Sequence, residues 1–270
     1  MNFSVLMSVY FKEKPEYLDR ALESLIHQSL QPNEIVLVKD GTLTPELDRV
    51  INSYQNKYQS LFKIISYEKN MGLGHALRLG VEECSNNIIA RMDSDDICHK
   101  DRFKEQISFL EKNPDIDIVG SYITEFEGDE DNIIFSRITK SSDSKIKRMM
   151  RYRNPFNHMT VMYKKSSVIK AGNYEDVLYF EDYHLWIKMA LKGMKMANLP
   201  LFLVNARSGL DMLSRRKGFT YIVREYRFLK RGYNLKFWNI FDFISLLITR
   251  VTTRFLPKFL LMKLYNILRN

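Results

Sequence analysis

Cysteine is nearly absent: Cys84 and Cys98 are the only two among 270 residues. Two thiols with no CxxC spacing exclude a disulfide framework, and a reducing cytoplasm is the expected compartment. Long apolar runs are missing too. Leu235 to Ile248 is rich in Phe, Trp, Ile and Leu, but it falls short of the roughly 20 residues a spanning helix needs. Asp242 and Arg250 interrupt the pattern. The opening MNFSVLMSVYFKEK has no basic region and no small-residue cleavage site, so it reads as a strand rather than a signal peptide. His27, His75 and His99 stand at no metal-ligand spacing, and no internal repeat or low-complexity segment occurs.

Excess basic charge is absent from most of the chain. The formal net charge is +9, yet Asp211 to Asn270 alone holds 13 Lys/Arg against 3 Asp/Glu. The other 210 residues carry 28 basic and 29 acidic groups. That distribution argues against a nucleic-acid-binding body and for a tail that meets an anionic surface.

What is present is a sheet pattern. Hydrophobic residues make up 45% of the chain, enough for a sizeable core. Phe3 to Tyr10, Glu34 to Lys39, Phe62 to Tyr67 and Asn87 to Met92 are short apolar runs suited to buried strands. Helical spacing fills the gaps: Leu18, Leu22, Leu25 and Ile26 after Pro15; Leu47, Val50, Ile51 and Tyr54 after Thr44-Pro45; Ala76, Leu77 and Val81 after the glycine turn at Gly72. Such alternation implies an α/β fold with a mostly parallel central sheet and helices on both faces. Ligands in such folds bind beyond the carboxyl ends of the strands. Tyr10, Asp40, Asn70 and Asp93 to Asp96 all follow strands, so one rim collects them.

Further along, Arg102 to Lys112 reads as a helix, and Ile116 to Phe126 with Asn132 to Ile138 as two antiparallel strands. The acidic turn Glu127 to Asp131 between them reads as a solvated loop. Ser142 to Arg153 reads as a basic helix, His158 to Tyr163 as a strand, the stretch after Tyr179-Phe180-Glu181-Asp182 as a helix to Gly193, and Leu199 to Val204 as a short strand. The expected organisation is an α/β half over 1–120, a second half of the same domain over 121–210, and a basic amphipathic helical tail over 211–270. The tail suits either the headgroup region of an anionic membrane or packing against the body.

The chemistry concentrates in NIIARMDSDD, Asn87 to Asp96. Three carboxylates within four residues repel one another unless a cation sits between them, and Mg²⁺ or Mn²⁺ favours carboxylate oxygen. An EF-hand fails, because Cys98 and Lys104 stand where glycine and glutamate belong. An aspartyl-phosphate site at Asp40-Gly41-Thr42 fails, because Val38 stands where the second acid belongs. A strand-end metal site fits. So does a set of acids favouring the dipole of a following helix.

The first strand ending in Tyr10, VKDG after the second, NMGLGHALRLG, ARMDSDD, and later FED with HLW resemble family-2 inverting glycosyltransferases of the GT-A fold, over about residues 3–207, which implies a nucleotide-sugar-binding half over 1–120 and an acceptor-binding half over 121–210. Bacterial enzymes of exopolysaccharide, capsule and O-antigen assembly are the nearest in kind. The resemblance implies that Asp93 and Asp95 are the DxD pair, which binds a Mg²⁺ or Mn²⁺ ion and the sugar nucleotide, with Ser94 between them and Asp96 behind. It implies that Ser8, Val9 and Tyr10 border the base and ribose through their backbone, and that Asp40 contacts the base. A plain DG turn is the alternative for Asp40. Asn70 and Gly72 would line the nucleotide and Arg78 would neutralise phosphate, unless it is a surface arginine.

Asp182 matches the catalytic base and Glu181 a positioning acid, with N-capping of the next helix as the alternative. Arg207 and Arg215-Arg216 match a basic segment over the diphosphate, or else a solvated turn. His158 matches a donor-side position or is structural, and Trp186 suits packing or a sugar platform. Arg91 would face the rim or pair with an acid.

The implied activity is transfer of one sugar from a nucleoside diphosphate to a glycan, lipid-linked or free. It would take place in the cytoplasm, at the inner face of the cell membrane, with no nucleic acid involved. The QxxRW motif and multiple spanning helices of processive synthases are missing. Two alternatives stand beside this reading. A sugar-phosphate nucleotidyltransferase would open with a Gly-rich basic loop, which VYFKEKPE is not. A non-catalytic membrane-bound partner of an assembly complex would not need Asp93, Asp95 and Asp182.

Overall fold

The computed structural model describes residues 1–208 and 218–254. Arg215, Arg216 and the chain after 254 lie outside the described residues. The first half alternates as the apolar pattern requires: β1 (Phe3–Val9), α1 (Pro15–Ile26), β2 (Glu34–Asp40), α2 (Pro45–Lys57), β3 (Phe62–Tyr67), α3 (Leu73–Glu83) and β4 (Ile88–Met92). Pro15 and Pro45 open α1 and α2, where a missing N–H costs nothing. Thr44 caps α2 by accepting from the Leu47 amide at 3.4 Å.

These strands lie in the order β3-β2-β1-β4, all parallel. The chain builds outward from β1 to β3, then α3 carries it back to β4 on the other side of β1. The order therefore reverses between β1 and β4, and a crevice opens at such a reversal.

The second half is β5 (Ile97–Cys98), α4 (Arg102–Lys112), β6 (Ile116–Phe126), β7 (Ile133–Arg137), α5 (Asp143–Met150), β8 (Met162–Lys164), α6 (Lys165–Ala171), α7 (Glu181–Leu191) and β9 (Lys195–Arg207). β8 joins β4 to β6 and runs antiparallel to both. β9 lies parallel to β6, while β5 and β7 pair antiparallel with β9 and β6. The sheet is thus parallel in its first half and mixed in its second.

Two expectations need correction. His158–Thr160 is a 3₁₀ turn rather than strand, with only Met162–Lys164 extended. Thr160 Oγ1 donates to the Asn157 carbonyl at 2.8 Å and accepts the Ser121 amide at 2.9 Å, which ties the turn down. The strand expected at Leu199 to Val204 runs from Lys195 to Arg207. Its register against β6 slips between Ser121 and Tyr122, opposite Pro200, whose missing N–H interrupts the ladder.

Alternate side chains of the strands feed two cores. Phe3, Val5, Met7 and Val9 pack with α1 and α4 on one face. Leu6, Val36, Val38 and Ile89 pack with α3 and α7 on the other. Each such buried side chain contributes roughly 1.5–3 kcal/mol.

Helices α8 (Phe219–Asn234) and α9 (Ile240–Arg254) extend the second core through Tyr221, Phe228, Leu229, Trp238 and Leu246. Over these residues the tail packs on the body. No helix among the described residues is long and apolar enough to cross a membrane.

Candidate active site

The loop into α3 lies at the carboxyl ends of β2 and β3. Asp40 closes β2 with its carboxylate only 3% exposed. It accepts the Tyr67 hydroxyl at 2.9 Å, the Asn70 side-chain amide at 3.0 Å, and the backbone amides of Met71 and Gly72 at 2.7 and 3.0 Å. Four donors fill a carboxylate's ordinary capacity. Asp40 therefore builds the loop, and a direct contact with a base would have to displace one of these donors. Gly72 caps α3 at φ 91° with nothing within 4 Å of where a Cβ would stand, so the backbone at the α3 N-terminus is uncrowded.

Asn70 is exposed beside that backbone. Ser8 and Tyr10 are half-buried at the end of β1, whereas the Val9 side chain belongs to the core and leaves only its backbone at the rim. Arg78 is exposed on α3 and meets His75 at 3.2 Å.

Beyond β4 the ligand atoms of Asp93, Asp95 and Asp96 lie within 4.8 Å of one another. Burial and the charges of Asp93 and Glu13 push Asp95 up to about 7. Burial and the charges of Asp95 and Asp93 drive Asp96 well above the carboxylate range, and its Oδ2 has no partner. Carboxylates crowded and desolvated in this way cannot all ionise without a cation. The oxygen-only donor set and the orphaned Asp96 oxygen fit a hard divalent ion. The helix-dipole alternative fails, because β5 separates the acids from α4, whose N-cap is Asp101.

Two buried arginines lie beneath the cluster. Arg91, 2% exposed, pairs with Asp93, while its Nε and Nη1 have no partner. Arg102 is fully buried and donates to the Arg91 carbonyl at 2.6 Å. Arg207, at the end of β9, donates through Nε to the Asp95 carbonyl at 3.2 Å and through its amide to Asp96 at 2.8 Å. Its guanidinium lies over the rings of Tyr17 and Phe126, at 3.8 and 4.5 Å. In this arrangement Arg207 holds the acidic loop itself. Ser94 is buried and donates to Glu13.

The second pair of acids starts α7. Glu181 is 8% exposed and is pushed up to about 7 by burial and by Asp182; Asp93 adds to the rise and Arg91 opposes it. The two acid groups, about 90 residues apart in sequence, thus lie within electrostatic reach of each other. Asp182 accepts the Asn154 side-chain amide at 2.5 Å and the Tyr183 amide at 2.6 Å. The N-cap of α7 is Phe180 and makes no side-chain cap bond. Capping is therefore not what fixes the Glu181-Asp182 pair.

His158 bonds the Tyr174 hydroxyl at 3.0 Å, and its enclosure keeps it well below its ordinary pKa. Trp186 is fully buried among Phe156, His158, Tyr163 and Tyr174, so it packs rather than forming a sugar platform.

Sequence reasoning missed Glu13 and Asn154. Glu13 lies in the loop between β1 and α1, four residues past the end of the strand. Asn154 belongs to NPFNH, whose Asn-Pro step marks only a turn.

This fold and rim define a glycosyltransferase of GT-A architecture. Residues 4–178 match the model of glycosyl transferase family 2, and the chain belongs to that family. It is 41% identical to the amylovoran biosynthesis glycosyltransferase AmsE of Erwinia amylovora, over 98% of both chains. It is 36% identical to the UDP-Gal:alpha-D-GlcNAc-diphosphoundecaprenol beta-1,3-galactosyltransferase of Escherichia coli, over 95% of this chain and 92% of that one. The S. aureus TarS 1-349 structure in complex with UDP-GlcNAc aligns with a TM-score of 0.66 at 20% identity, over 85% of this chain and 66% of that one.

Proposed function

We propose that the protein transfers one sugar, with inversion, from a nucleoside diphosphate sugar to a hydroxyl of a glycan carried on a lipid diphosphate. The setting would be bacterial surface polysaccharide assembly. The Escherichia coli and Erwinia relatives support the donor class, the acceptor class and the pathway. The observation that carries the reading is the split between the two acid groups. One is crowded and short of positive charge, while the other is held by hydrogen-bond donors across the crevice.

In this reading the acceptor oxygen bonds to the anomeric carbon as the bond from that carbon to the diphosphate breaks. Asp182 takes the acceptor's proton. Asn154 and the Tyr183 amide keep its carboxylate aimed. Glu181, protonated near neutral pH, donates a hydrogen bond to a sugar hydroxyl. Asp93 and Asp95, with Asp96 beside them, would hold Mg²⁺ or Mn²⁺, which offsets charge on the leaving diphosphate. Arg207 fixes the backbone of that loop. The backbone at Ser8 to Tyr10 and the Asn70–Gly72 loop border the nucleotide, and Asp40 acts on the base through the loop it builds. Arg78 stands at the exposed edge, where it meets phosphate only if the donor reaches that far.

The tail adds a location. Phe241, Ile244 and Ile248 form an exposed stripe on α9, and Arg227, Lys230 and Lys236 are exposed on α8 and in the turn that follows it. A hairpin that exposes aliphatics and aromatics together with lysine and arginine suits the headgroup region of an anionic leaflet. The protein would then work on the cytoplasmic face of the cell membrane as a peripheral enzyme. Serine at the three stripe positions should release it from phosphatidylglycerol vesicles; unchanged binding would refute that location.

A thermal-shift panel of UDP- and GDP-sugars with and without Mn²⁺ tests the main reading. Stabilisation by at least one nucleotide, larger with Mn²⁺, is expected. No shift with any nucleotide would sink it.

A further inference from the structure

The tail hairpin touches the site from behind, and its contacts converge on the residues flanking Asp182. Phe228 on α8 stacks on Phe180, with ring centroids 4.5 Å apart and planes 9° from parallel. The same ring lies 4.9 Å from Tyr183. Phe180 and Tyr183 bracket the Glu181-Asp182 pair, so one tail side chain grips both ends of it. Trp238, in the turn between α8 and α9, lies 5.5 Å from Phe228 and packs on Gly232, where an added Cβ would stand 2.2 Å from the indole ring.

A second route runs through the loop after α5. The Trp238 indole N–H donates to the Arg151 carbonyl at 2.9 Å. Arg151 in turn pairs with Asp242 and donates to the Phe237 carbonyl at 3.2 Å. Arg250 donates to the Tyr152 carbonyl at 3.1 Å. This tied-down segment ends at Asn154, whose amide donates to Asp182. A third tie joins Arg231 of α8 to Glu175 at 2.9 Å, and Glu175 pairs with Lys188 of α7 at 2.7 Å.

We propose that the α8–α9 hairpin is a positioning element of the catalytic site. Phe228, Trp238 and Asp242 seat the Asp182 carboxylate by holding its flanks and its Asn154 donor. This rests on the reading of Asp182 as the base. A general base must sit within hydrogen-bond reach of the proton it removes, so a small displacement slows chemistry and leaves nucleotide binding at the far acid cluster intact. The same hairpin carries the proposed membrane stripe on its outer side. Its seating on the body and its seating on the bilayer are therefore linked.

Phe228→Ala, Phe228→Leu and Asp242→Ala are the test variants, in the full chain, with Asp182→Asn alongside. Affinity for UDP with Mn²⁺ and transfer from the UDP-sugar panel to a GlcNAc-diphosphate lipid are measured for each. Deuterium uptake by the peptide spanning 178–186 is followed as well. Phe228→Ala should lower kcat at least tenfold with UDP affinity within twofold of the parent, and it should speed exchange in 178–186. Phe228→Leu, which refills the space, should recover most of the rate. Asp242→Ala, at the half-exposed end of the hairpin, should lower kcat severalfold, and it decides the matter if Phe228→Ala does not fold.

The proposal is overturned if the folded variants keep the parent's kcat, or if UDP affinity falls as much as kcat does. It is also overturned if exchange in 178–186 is unchanged, a readout that needs no substrate. Retained transfer by Asp182→Asn would instead remove the base assignment, and this inference with it.

Discussion

The two acid groups of this site are built from the same side chains and handled in opposite ways. Asp93, Asp95 and Asp96 crowd one another at the end of β4, with Arg91 as the one side-chain cation paired to them among the described residues and one Asp96 oxygen orphaned. Asp182 starts a helix and is supplied with donors by Asn154 and Tyr183. The first group is left short of positive charge, which is the condition for recruiting a divalent ion and a diphosphate. In the second, Asp182 has its donors without either, as the proposed role of a base that holds its aim through turnover requires. The lesson is that acid clusters are told apart by what compensates them rather than by their composition.

Three substitutions probe the contrast between the two groups. The largest effect belongs to Asp182→Asn, which should cost about 10²–10⁴ in kcat, the range for a lost general base. A loss below tenfold in a transfer assay would remove Asp182 from the chemistry. Asn154→Ala comes next. A hydrogen bond to a charged group is worth roughly 1.5–3 kcal/mol, so kcat should fall about ten- to a hundredfold with UDP affinity retained. An equal fall in both quantities would mean that Asn154 supports the fold rather than the base.

Glu181→Gln gives the smallest effect, and it is read as a pH dependence of stability. The Glu181 carboxyl is held up to about 7 in the folded protein, against an ordinary value near 4.5. As pH rises from 4.5 toward 7 the unfolded chain ionises freely and the folded one does not, so stability is lost across that window. Glutamine cannot ionise and escapes the loss. Its melting temperature should climb relative to the parent between pH 4.5 and 7 and then level off, a difference on the order of 1–3 kcal/mol. A difference independent of pH would contradict the burial account of Glu181.

Much of this was legible in the sequence, for physical reasons. The four parallel strands are apolar on both faces and bounded by Asp-Gly and Asn-Met-Gly turns, so β1 to β4 could be read directly. Their ends had to share a rim, which collected Asp40, Asn70 and Asp93 to Asp96.

The second half was harder to read. β8 has only three residues, flanked by β4 and β6; the alternation from His158 to Tyr163 marks a strand there but not the 3₁₀ turn that takes up its first three residues. β9 continues past Pro200 because β6 pairs with it on both sides of the slip. The aromatic residues of the tail suit a membrane and a core equally, and only packing sorts Phe228 and Trp238 inward from Phe241 and Ile248 outward. Glu13, Asn154 and the loop-building role of Asp40 are products of long-range contact. Ser94 and Glu13 are 81 positions apart and Asn154 and Asp182 are 28 apart, separations over which side-chain periodicity carries no information.

The central claim is the division of labour between the two acid groups, and calorimetric titration of UDP with and without Mn²⁺ into the parent, Asp95→Asn and Asp182→Asn tests it most directly. Asp182→Asn should bind as the parent does, within twofold, and with the same dependence on Mn²⁺. Asp95→Asn should bind at least tenfold more weakly and lose that dependence. Equal losses in both variants, or undiminished binding by Asp95→Asn, would contradict it.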